Sequence, residues 1–118
     1  MKGFAALTLC LIAGAAVAQE QPLASKANLQ ATAADAARVT AIKNRCLEHI
    51  GIDVGYTADL QRALVADGVR QVGKDAFLPI VKAEQARIRA EIEASEVAVW
   101  CRRQKAVFEK PFPDVFRP

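Results

Sequence analysis

Apolar positions in this chain recur at helical spacing, and no stretch alternates in the two-residue pattern of a strand. Val39, Ile42, Cys46 and Ile50 fall at i, i+3, i+7 and i+11, one stripe of a helix predicted over Asp35–Ile50. Thr32 with Asp35 suits an N-terminal capping box. Gly51 suits the stop, with Ile52 folding back as its apolar partner. A second helix is expected from an N-cap at Thr57, burying Leu60, Ala63 and Leu64 and ending at Gly68. A third begins near Asp75, with Pro79 tolerated only in its first turn. Its buried face carries Phe77, Val81, Ile88 and Ile92.

The phase of the pattern then changes. At 100° per residue, Val97, Trp100, Cys101, Gln104 and Phe108 lie opposite the stripe set by Val81, Ile88 and Ile92. One straight helix cannot bury both stripes against one core. A break is therefore placed at Ala94-Ser95, with Ser95 as N-cap and Glu96 in the first turn of a last helix. Prolines at 111, 113 and 118 forbid further helix. The fold class that follows is all-α, a small bundle of three to four helices.

The N-terminal pattern is of another kind. Met1-Lys2 precedes an uncharged, mostly apolar run to Ala18 that closes on Ala16-Val17-Ala18, the form of a secretory signal peptide cleaved after Ala18. The run falls short of the roughly 20 apolar residues of a membrane span, and no later segment is apolar enough to make one. Cys10 does not suit lipidation, because Leu9 stands where a small residue is wanted. The organisation read from the chain is a signal peptide at 1–18, a flexible leader at 19–34, a helical domain at 35–110 and a Pro/Phe-rich tail at 111–118. Periplasmic or secreted localisation follows from the signal.

Export changes the meaning of the cysteines. With Cys10 removed, Cys46 and Cys101 form an even pair in an oxidising compartment and predict one disulfide. Its loop of ~55 residues is worth roughly 4 kcal/mol on the chain-entropy account. Both cysteines lie on apolar stripes, which places the bridge in the core. Their separation does not suit a CxxC redox pair.

Charge adds little. Removing Lys2 takes the 16 basic residues to 15 against 13 acidic ones, a net of +2, too balanced for a nucleic-acid binder. His49 is the single histidine, and with two distant cysteines it matches no local pairing of zinc ligands; no metal and no cofactor are expected. No catalytic signature is present, neither GxSxG nor HExxH nor a phosphate-cradling glycine loop, so no enzymatic activity is expected. Arg87 with Glu91 and Arg89 with Glu93 are spaced for exposed ion pairs. Partner-binding candidates are the basic cluster Arg102, Arg103 and Lys105, and the tail rings Phe112 and Phe116. The tail either docks on its own domain or presents those rings to another protein. The function expected is an exported, non-catalytic protein–protein interaction module, an envelope-complex subunit or an inhibitor- or immunity-type binder. Its partner would be another envelope or secreted protein; the alternative is a holdase-type envelope stress chaperone.

Overall fold

A computed structural model of the 118-residue chain describes residues 28–118. The expected signal peptide and most of the expected leader lie outside the described residues. Among those described, every regular element is helical: α1 over 28–45, α2 (Val54–Val72), α3 (Lys74–Glu93), α4 (Val97–Phe108) and a 3₁₀ turn (Pro113–Val115). Residues 31–118 form one compact unit, so the tail belongs with the helices rather than beside them.

α1 is helical from residue 28, seven residues before the expected start, so 28–34 are not leader and Thr32 and Asp35 are not a cap. Alanine explains the difference. Ala33, Ala36 and Ala37 are fully buried, but alanine favours helix without marking an apolar face strongly. The helix stops at residue 45, not at Gly51: His49 and Ile50 both donate to the Cys46 carbonyl, at 2.9 and 3.0 Å, and close a turn. Gly51 instead allows close approach of the tail, since a Cβ there would lie 3.2 Å from the Arg117 Cβ.

Asp53, not Thr57, caps α2. Its carboxylate accepts from the Tyr56 amide at 3.0 Å. Thr57 is inside the first turn, buried, with its hydroxyl donating to the Asp53 carbonyl at 2.6 Å. The helix runs through Gly68, whose missing side chain leaves room for the Phe77 ring; a Cβ at that position would overlap the ring. The break comes at Gly73, where φ is +89°, a conformation that favours glycine. Leu60 and Leu64 are half-buried and Ala63 is exposed, so the expected apolar side of α2 is peripheral.

α3 buries Phe77, Val81, Ile88 and Ile92 as the spacing predicts, and Glu84 shares that face. Pro79 lies inside the helix, past its first turn, where its ring removes one backbone donor. The phase change is realised as a break: α3 ends at Glu93, α4 starts at Val97, and Trp100, Cys101, Gln104 and Phe108 are buried. Glu96 occupies the cap position; Ser95 does not, and its hydroxyl is buried with no hydrogen-bond partner.

The disulfide joins Cys46, one residue past α1, to Cys101 on α4, with Cα atoms 5.6 Å apart and both residues fully buried. The tail is pinned separately. Ile52 and Phe116 form an antiparallel bridge, with Asp53 N donating to Val115 O at 2.9 Å and Arg117 N donating to Gly51 O at 3.0 Å. Val115 and Phe116 are buried beneath it.

Candidate functional site

The amphipathic pattern of α4 sets a site on its outer edge. With Trp100, Cys101, Gln104 and Phe108 turned inward, Val107 falls off the buried stripe and is 69% exposed. Beside it the chain turns at Pro111, and the Phe112 amide donates back to the Phe108 carbonyl at 3.0 Å. That turn stacks the Phe108 and Phe112 rings with centroids 4.7 Å apart and planes tilted by 32°. Val107, Phe108, Pro111 and Phe112 thus make one apolar wall of a cleft of about 590 Å³.

The facing wall is polar and comes from α1. Asp35 and Arg38 line it, with Arg103 and Gln104 of α4 completing the cleft. Arg38 is held in place: its Nη1 donates to Gln104 Oε1 at 2.6 Å and to Glu91 Oε1 at 3.4 Å. Glu91 Oε1 also accepts from the indole Nε1 of buried Trp100 at 3.2 Å. A buried indole N–H needs such an acceptor, so the packing of Trp100 fixes Glu91, and Glu91 helps fix Arg38.

The two carboxylates beside Arg38 are shifted in opposite senses. Burial raises Asp35 above its ordinary value, and the attraction of Arg38 offsets this only in part. Burial also acts to raise Glu91. There the hydrogen bonds from Trp100 and Arg38 and the charges of Arg38 and Arg87 together outweigh it, leaving Glu91 below its ordinary value.

The cleft lies within the size range of ligand sites, roughly 300–1,000 Å³. Among the described residues its lining offers cations, one carboxylate and an aromatic wall, but no hydroxyl, thiol or imidazole. What this arrangement can do is hold an apolar group with an anionic neighbour.

Of the residues singled out from sequence, Arg103 and Phe112 meet in this cleft, while Arg102 and Lys105 do not line it. Phe116 is elsewhere, buried at 7% exposure under the bridge to Ile52, so its ring is not presented. Val107, Pro111, Asp35 and Arg38 were not among the candidates. Val107 carried a usable signal, an apolar residue out of phase with the α4 stripe; Asp35 and Arg38 carried none.

His49 is exposed in the turn after α1, and Cys46 and Cys101 are bonded to each other, so those three cannot act together as ligands. Among the described residues no group of three or more His, Cys, Asp or Glu side chains could hold a metal ion. Among them, too, no helix is long and apolar enough to cross a membrane. The expected pairs of Arg87 with Glu91 and Arg89 with Glu93 do not form; Arg87 pairs with Glu84 at 3.2 Å and Glu91 with Arg38. In comparison with known proteins, the chain matches no family model, no curated protein and no solved structure.

Proposed function

We propose that this chain is an exported, non-catalytic protein–protein interaction module, an envelope-complex subunit or an inhibitor- or immunity-type binder, whose partner docks in the α1–α4 cleft. The observation that carries this reading is the exposed Val107 on the aromatic wall, facing a fixed arginine. A central apolar anchor ringed by polar groups is the arrangement that concentrates binding energy at protein interfaces. Charge supports the same site. α4 carries Arg102, Arg103 and Lys105 and no acidic residue between Val97 and Phe108, so an acidic partner surface is favoured. A buried disulfide agrees with an oxidising compartment.

The test is capture from native envelope extract with the protein and its Val107→Asp variant. One stoichiometric companion, lost from the variant at unchanged melting temperature, is the expected result. Many substoichiometric proteins, bound equally by both, would overturn it in favour of a holdase-type chaperone. Intact mass checks export: recovered protein should begin at Gln19 and lack the two hydrogens of the Cys46–Cys101 pair. Recovery of a chain that keeps Met1 would sink the export reading.

A further inference from the structure

A second groove, between α1 and α3, shares no lining residue with the cleft above. It encloses about 250 Å³. Its floor is apolar and low because two of its side chains are methyl groups: Ala37 and Ala41 of α1 face Ile88 and Ile92 of α3. Among the described residues Arg45 and Arg89 are its only charged lining residues, and both are exposed.

On α1, α2 and α3 the pairing of the arginines separates these two from the other four. α1, α2 and α3 carry six arginines in the described residues. Arg38, Arg62, Arg70 and Arg87 each hold a carboxylate, respectively Glu91, Asp59, Asp67 and Glu84. Arg45 and Arg89 hold none among the described residues, and they are the two that line this groove. Asn44 and Gln85 also line it and bring amide donors. Thr40 does not, because its hydroxyl already donates to the Ala36 carbonyl at 2.8 Å. Among the described residues the lining is therefore rich in donors, doubly cationic, free of carboxylate and floored with hydrocarbon.

We infer that the α1–α3 groove binds an amphipathic monoanion, a carboxylate on a short aliphatic chain. The head lies at Arg45 and Arg89, whose planar guanidinium groups match a carboxylate in two-point contact. The chain lies on Ala41, the apolar lining residue that keeps exposed surface, where burying each methylene is favourable. The groove is too small for a drug-sized molecule, which needs roughly 300 Å³ or more. This reading does not rest on the partner-binding role of the other cleft.

The experiment is a titration of the protein with hexanoate followed by backbone-amide NMR, with hexanol and inorganic phosphate as parallel probes. Saturable shifts confined to 37–45 and 85–92 are expected, with hexanoate binding tighter than either parallel probe. Arg45→Gln and Arg89→Gln should each weaken hexanoate about tenfold, the loss of one charge-assisted contact. Both side chains are exposed, so unchanged melting temperatures should confirm that these variants fold. Ala41→Leu should fill the floor and abolish binding. The proposal is overturned if no shift saturates, if hexanol or phosphate binds as tightly as hexanoate, or if folded arginine variants bind unchanged.

Discussion

Helices α2 and α4 are equally amphipathic, yet the longer one is the less buried. α2 has 19 residues and encloses only Thr57 and Gly68; α4 has 12 and encloses Trp100, Cys101, Gln104 and Phe108. The difference is in how each reaches its neighbours. α4 is held by large side chains, by a disulfide to the end of α1, and by the polar chain from Trp100 through Glu91 to Arg38. α2 is brought close by having no side chain where Phe77 meets Gly68, and by an Asp53 cap that fixes its start. Amphipathicity fixes which face turns inward. How deeply that face is buried depends on what the neighbouring helix presents.

The largest expected effect is on the α4 side. Replacing both Cys46 and Cys101 by alanine removes a link across 55 residues and should cost about 4 kcal/mol on the chain-entropy account, read by urea unfolding. Native-state hydrogen exchange sharpens the contrast. In the oxidised protein, α2 amides should open at lower free energy than those of α4, and in the double alanine variant that gap should narrow. Equal protection of the two helices in the oxidised protein would break the comparison.

The next effect tests the α2 side, and its sign decides. Gly68→Ala gains roughly 0.5–1 kcal/mol of helix preference but drives a methyl into the Phe77 ring, an overpacking cost of about 1–3 kcal/mol. A net loss is expected. Combining it with Phe77→Leu should cost less than the two single losses added, because the smaller side chain makes room for the methyl. A Gly68→Ala variant that is more stable than the parent would show that α2 does not rely on this approach.

What could be read from the sequence divides along the same line. The stripe from Phe77 to Ile92, the phase change before Val97, the Trp100–Phe108 stripe and the cysteine pairing were all legible, because large apolar residues and paired cysteines mark their positions. The early start of α1 and the course of α2 through Gly68 were not. Ala33 and Gly68 are buried at those places, and such small residues mark an apolar face only weakly. Gly68 reads as a breaker from local preference, yet it is tertiary packing that places it mid-helix. At the candidate site Arg103 and Phe112 were legible as single residues. Their meeting with Asp35 and Arg38 was not, since it depends on how α1 lies against α4.

The smallest expected effect is electrostatic and again separates the two regions. Asp35 is raised by burial, so the folded protein bears a cost for its ionised form. That cost is absent below the ordinary value of 3.8 and complete above the raised one. Asp35→Asn should therefore raise the melting temperature at pH 7, and the gain should fade as pH falls to 3.8 and below. Glu91 runs the other way. Its lowered value stabilises the folded state above the ordinary 4.5 and ceases to do so as pH falls through the folded value. Glu91→Gln should lower the melting temperature at pH 7, with the deficit closing on acidification; its side chain is 40% exposed, so solvent weakens the effect. On α2, Asp59 and Asp67 pair with Arg62 and Arg70 at the surface, and such pairs contribute little. Asp59→Asn should leave the melting temperature at pH 7 unmoved. An Asp35→Asn gain that persists at pH 3 would mean that the amide packs better there, and that the gain does not come from relieving a buried charge.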